Sequence, residues 1–214
     1  MSSLNLLHGT RYFVGLDLGQ ARNYTAMAVL ERTWHQATVA EFIASGGRGY
    51  QGEYRYRVVG LDRASLGTSY PGIVEWVRRR LSEFGGGGDG GEIGAVVVDA
   101  TGVGSAVMDL LKRADLGVRL VGTVITGNQA NPAGAGGTTM AGYQTVSRTE
   151  LLTGLQVAVQ AKRLTVSMGA CREWEELRRE LVVLRMEGKR AGTQDDLAFA
   201  LGLAIWWGMR PMVG

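Results

Sequence analysis

Ala95-Val96-Val97-Val98-Asp99-Ala100-Thr101-Gly102-Val103-Gly104 is the stretch that decides the fold. An unbroken apolar run, rich in β-branched residues, marks a strand buried on both faces. That is the pattern of a central parallel strand. A carboxylate ends the run, and Gly102 and Gly104 let the chain turn. Ser105 to Arg113 then reads as a helix, and Val118 to Ile125 as the next strand.

Upstream, Tyr12-Phe13-Val14-Gly15-Leu16-Asp17-Leu18 reads as another buried strand, and Tyr24 to Leu30 as its successor. Gln36 to Ala44 alternates and is expected to be a third strand. Short connections make these three antiparallel neighbours. Tyr54 to Leu61 is either a further strand or an extended approach to the next helix. Pro71 suits a helix's first turn. Ile73, Val74, Trp76, Val77, Leu81 and Phe84 recur at helical spacing, with Arg78, Arg79 and Arg80 mostly opposite. The glycines from Gly85 to Gly91 form a loop. A phosphate cradle would need Lys-Ser/Thr and a helix start directly after them.

Downstream, Gly127 to Gly142 is a long Gly/Ala/Asn loop. Ser147 opens a helix to about Ala161, with Glu150 completing a capping box. Leu164 to Val166 is a short extended piece, and Arg172 to Leu184 a charged helix. Thr193 is expected to cap a strongly apolar last helix from Asp195 to Trp207. Three consecutive strands followed by alternating units give an α/β fold, a mixed central sheet flanked by helices. Residues 1–11 read as a terminal segment or linker remnant, and 12–214 as the folded domain.

The acids fall in special places. Asp17 ends the first strand, Asp99 ends the apolar strand, and Asp195 and Asp196 begin the last helix. A carboxylate on a central strand is costly to bury unless it is paired or metal-bound. If the two strands are neighbours and the last helix crosses the sheet, Asp17, Asp99 and Asp196 converge. Such a group repels itself, and hard divalent cations relieve the repulsion. Two cations about 3.5–4 Å apart can clamp the attacking and leaving oxygens of a phosphodiester. Each acid also has a plain structural reading. Asp17 could close a turn through Gly19, and Asp99 could make an Asx-turn. Asp195 and Asp196 could serve the helix dipole, with Thr193-x-x-Asp196 as a capping box.

Composition narrows the class. Of 214 residues, 33 are Gly, roughly twice ordinary usage. An apolar fraction of 45% and a charged fraction of 20% still describe a globular chain, so collagen, coiled coil and disorder are excluded. Net charge is +3, and nearly all of the 23 basic residues are Arg. Arg grips phosphate in a bidentate way, although coding bias produces the same skew. Cys171 is the only cysteine, so an intramolecular disulfide is excluded. No secretory signal or membrane span is evident, and a cytoplasmic location is expected.

Four segments together carry a resemblance. They are Tyr12-Phe-Val-Gly-Leu-Asp17-Leu-Gly-Gln20, Tyr24-Thr-Ala-Met-Ala-Val29, Val96-Val-Val-Asp99-Ala-Thr-Gly-Val-Gly104 and Gln194-Asp195-Asp196-Leu-Ala-Phe-Ala-Leu201. With Arg148-Thr-Glu-Leu-Leu152, Lys162-Arg-Leu164 and Glu180-Leu181 between them, the chain resembles the nuclease domain of phage terminase large subunits. The resemblance implies a ribonuclease H-like, resolvase-type fold. It implies an endonuclease that cuts double-stranded viral DNA during genome packaging, using two divalent cations, Mg²⁺ or Mn²⁺. Asp17, Asp99 and Asp196 would be catalytic metal ligands, with Asp195 an accessory acid. Arg148, Lys162, Arg163, Lys189 and Arg190 are candidate DNA-phosphate contacts, the alternative being a solvated face. The family often has His before the Asp pair, where this chain has Gln194. It also often has an acid near the second strand, where this chain has Asn23. The implied partners are an ATPase domain, a small terminase subunit and a portal. No Gly-x4-Gly-Lys-Ser/Thr occurs, so these residues are expected to hold the cutting domain alone.

Three other readings stay open. A Holliday-junction resolvase of the same superfamily would prefer four-way junctions. An actin-like nucleotide-binding domain would use Gly15-x-Asp17-x-Gly19 and Asp99-x-x-Gly102 as phosphate loops, but it leaves the Asp pair unexplained. A non-catalytic DNA-binding or assembly module predicts that the acids do not gather.

Overall fold

β1, Arg11–Asp17, lies at the middle of a seven-stranded sheet. The computed structural model describes residues 10–19, 23–44, 46, 52–85, 91–102, 104–127, 142–169, 171–187 and 194–211. β1 pairs antiparallel with β2, Ala26–Gln36, which pairs antiparallel with β3, Gly52–Arg63. On its other side β1 pairs parallel with β4, Glu92–Asp99. β5, Leu120–Thr126, and β6, Gln144–Ser147, extend the sheet in parallel beyond β4. β7, Leu164–Val166, adds a parallel edge to β3. The order is β6-β5-β4-β1-β2-β3-β7. The expected mixed sheet is therefore present, with the first and fourth strands adjacent.

Gln36 to Ala44, expected as the third strand, is not one: Gln36 ends β2. Val39–Ala44 is a short helix, α1, and the third antiparallel strand is β3. The reason is local. The Glu41 carboxylate accepts from the Thr38 amide at 2.8 Å, and the Glu41 amide donates to Thr38 Oγ1 at 3.3 Å. This reciprocal capping box outweighs the apolar alternation. It leaves Val39, Phe42 and Ile43 exposed, where a strand would have buried one face.

Helices cover both faces of the sheet. Tyr12, Val14, Leu16, Val96 and Val98 pack against α2, Tyr70–Gly85, and α3, Gly104–Arg113. Phe13, Ala95 and Val97 face the opposite way, toward α4, Arg148–Gln160, α5, Trp174–Glu187, and α6, Asp196–Gly208. α6 is apolar nearly all round because it is enclosed by the sheet, α4 and α5. Leu197, Leu201, Leu203 and Ile205 are almost fully buried there, each worth roughly 1.5–3 kcal/mol. Ser147 caps α4 by accepting from the Glu150 amide at 3.0 Å. The Glu150 carboxylate instead accepts from the Trp206 indole at 2.8 Å, so the expected box is only half formed. Among the described residues, no helix is long and apolar enough to cross a membrane.

Candidate active site

The last ladder pair between β1 and β4 is Leu16 with Val98. The next step along each strand is Asp17 and Asp99, so the two acids end adjacent parallel strands in register, about 4.8 Å apart in backbone. They belong to the face that carries Phe13 and Val97, the face covered by α6.

α6 runs antiparallel to β1. Ala200 lies over Gly15, and Gly208 lies over Phe13, whose ring is 3.2 Å from a Cβ built on Gly208. One turn back from Ala200, about 6 Å, is Asp196. Two residues forward from Gly15, about 6.6 Å, is Asp17. The helix therefore delivers its first residue to the end of the sheet where both strand acids stand.

Ladder pairing extends this line. Asp17 pairs with Ala26, and Ala26 with Arg63; on the other side Asp99 pairs with Thr123. One row thus crosses five strands as Thr123, Asp99, Asp17, Ala26 and Arg63. Arg63 Nε donates to Asp196 Oδ2 at 2.6 Å, and its Nη2 donates to Asp196 Oδ1 at 3.4 Å and to Glu180. Glu180 Oε2 accepts from the Ala198 amide at 2.8 Å and so caps α6 from α5. Asp195 occupies the N-cap position but makes no side-chain cap; its carboxylate meets Arg148 at 2.9 Å. Glu180 thus supplies the side-chain cap that Asp195 does not, while Asp196 stands in the first turn of α6, as the dipole reading has it. Thr193 lies outside the described residues.

Burial pushes the Asp99 carboxyl up from its ordinary value, partly offset by Thr101, whose amide donates to it at 2.9 Å. Asp99 therefore makes the Asx-turn as well. The Gly19 amide donates to Thr25 Oγ1 at 3.2 Å. Burial also pushes the Glu180 carboxyl up to about 7, with the Ala198 amide pulling it back and Asp196 pushing it further.

The donor type suits a hard divalent cation. All are carboxylate oxygens, and Asp99 is a half-buried acid whose described hydrogen bonds are to Thr101. Among the described residues, no three His, Cys, Asp or Glu side chains already converge closely enough to hold an ion. Asp196 and Glu180 are both turned onto Arg63.

Arg63 is not legible in the sequence, and Glu180 stands out only through the family resemblance. Neither carries a motif. Arg63 becomes visible only once the β2–β3 register puts it in the row of Asp17. The basic candidates are dispersed. Arg148 is engaged by Asp195 and stacks over Phe199 at 4.3 Å, and Arg163 pairs with Glu53 at 2.7 Å. Lys162 is an exposed turn residue at φ 56°. Lys189, Arg190 and most of the Gly127 to Gly142 loop lie outside the described residues.

No family model matches the sequence, and no curated protein is similar to it in sequence. Solved structures are similar in fold. The human cytomegalovirus terminase nuclease domain, Mn soaked, superposes with a TM-score of 0.57 at 13% identity, over 96% of this chain and 86% of that one. The same domain with inhibitor bound gives 0.54 at 13% identity, over 97% and 86%. A mutant nuclease domain of the large terminase subunit gp2 of bacterial virus Sf6, with manganese and beta-thujaplicinol, gives 0.52 at 15% identity, over 92% and 87%. The chain has the ribonuclease H-like α/β fold of these terminase nuclease domains.

Proposed function

We propose that this chain is a divalent-metal-dependent endonuclease that hydrolyses double-stranded DNA as the nuclease part of a viral packaging terminase. The observation that carries the proposal is the in-register placement of Asp17 and Asp99 on adjacent strands, with α6 bringing Asp196 to the same sheet end. The fold shared with terminase nuclease domains, two of them handled with manganese, supports the same reading.

Asp17, Asp99 and Asp196 would hold the metal, with Asp195 close by as an accessory acid. Two Mg²⁺ or Mn²⁺ ions held there would supply Lewis acidity for water and for the oxygens of the scissile phosphate. The protein's own part is to fix the acids on rigid elements and keep the charge-balancing groups Arg63 and Arg148 within reach. Lys162, Lys189 and Arg190 are proposed to touch DNA phosphate. An ATPase domain, a small terminase subunit and a portal would be the partners, and the host cytoplasm the place of action.

The test is plasmid nicking with Mg²⁺ or Mn²⁺, with EDTA and the variants Asp17→Asn and Asp99→Asn alongside. Metal-dependent nicking and linearisation, lost in EDTA and in both variants, is expected. Cutting that survives EDTA or either substitution would overturn the assignment. Preference for a four-way junction over linear duplex would keep the nuclease but replace the packaging role with a resolvase role.

A further inference from the structure

We propose that Arg63 is an internal stand-in for the metal, a guanidinium that holds Asp196 in the metal-free protein and must give it up for a cation to bind. This inference rests on the metal-dependent reading above. Arg63 ends β3 two strands from Asp17 in the same row, with only the small Ala26 between them. Its side chain is 10% exposed and spans both oxygens of Asp196. It also binds Glu180, and Glu173 stands 4.0 Å away.

Charge arithmetic favours exchange. One guanidinium faces three carboxylates, those of Asp196, Glu180 and Glu173. Asp99 is a further half-buried acid at this sheet end, and among the described residues its carboxylate accepts from Thr101. Carboxyl groups therefore outnumber the guanidinium that Asp196 shares. A buried carboxylate stripped of its cation is costly, so something must neutralise Asp196 whenever metal is absent. Arg63 meets that need with a planar fork that matches the carboxylate. The same fork directs Asp196 toward β3, whereas Asp17 and Asp99 lie on β1 and β4. Arg63 also has somewhere to go. It lines a cleft of about 430 Å³ with Ser65, Thr68, Glu75, Trp76 and Arg79.

The exchange can be watched in the unaltered protein by nitrogen-15 NMR of arginine Nε–H groups, with the Arg63 signal assigned by its loss in Arg63→Lys. In EDTA the Arg63 signal should be downfield and slow to exchange, and Mg²⁺ should move it to the position of a free guanidinium. Binding of Mn²⁺ by calorimetry, on the full chain, is the second arm. Arg63→Gln should bind Mn²⁺ roughly tenfold more tightly, the size of effect expected from removing a competing charged hydrogen bond. Arg63→Lys, which keeps the charge but loses the fork, should fall between.

An Arg63 signal unmoved by saturating Mg²⁺ would overturn the inference. So would equal or weaker Mn²⁺ binding in Arg63→Gln while the unaltered protein still binds. If the unaltered protein binds no more Mn²⁺ than a variant carrying both Asp17→Asn and Asp99→Asn, the metal reading itself fails and takes this inference with it. A merely structural Arg63 would lower thermal stability without changing metal affinity.

Discussion

Gly15 and Ala200 touch backbone to backbone: any Cβ on Gly15 would overlap the Ala200 carbonyl oxygen. This contact sets the height of α6 above β1, and with it the place of Asp196. Gly15→Ala should therefore destabilise the protein by about 3 kcal/mol or more, because the neighbour is helix backbone and cannot swing aside. Urea unfolding measures this. A loss under 1 kcal/mol would mean that the helix does not rest on the strand as described.

Asp99 should trade stability for chemistry. Its carboxyl is pushed up by burial, so holding it ionised at neutral pH costs folding free energy. Asp99→Asn keeps an oxygen for the Thr101 amide and removes the charge. In EDTA its Tm should rise by a few degrees, while plasmid nicking with Mn²⁺ falls by about a hundredfold or more. A lower Tm in the variant would contradict the burial argument.

Glu180 should give the fold a pH dependence. Its folded value of about 7 lies above its ordinary 4.5. Between those values the folded protein holds more protons than the unfolded chain, so this contribution is present below 4.5 and lost as pH rises through 7. Melting curves in EDTA from pH 5 to 8 should show it as a fall in Tm. Glu180→Gln should flatten that slope, and an unchanged slope would rule Glu180 out.

Cys171 should be chemically silent. Burial pushes its thiol up to about 11, with Asp62 adding to the effect, and its side chain is buried against the Val58 carbonyl at 3.5 Å. A thiol reagent at pH 8 should leave the native protein unlabelled and react fully after denaturation. Rapid native labelling would show that the α5 side opens readily.

Much of this architecture was legible because its signals are local and redundant. The apolar run before Asp99, the spacing of Ile73, Val77 and Leu81, and the apolar last helix each state one element and its buried side. What escaped depends on partners. Val39 to Ile43 alternates like a strand, yet the Thr38–Glu41 box decides it. β6 is four residues long, too short to show a period, and joins the sheet by pairing with β5. Glu150 fits a capping box by spacing, but the Trp206 indole takes its carboxylate. At the site, Asp17, Asp99 and Asp196 stand out as acids beside apolar runs. Arg63 does not, since an arginine ending a strand is ordinary until the register places it beside the acids.

Asp17, Ala26 and Arg63 on one side, and Asp99 with Thr123 on the other, are held by main-chain ladders, whose hydrogen bonds are indifferent to most side chains. Positions fixed in this way tolerate wholesale replacement of the residues around them. That accounts for a fold recognisable at 13% identity, where sequence comparison alone is mute.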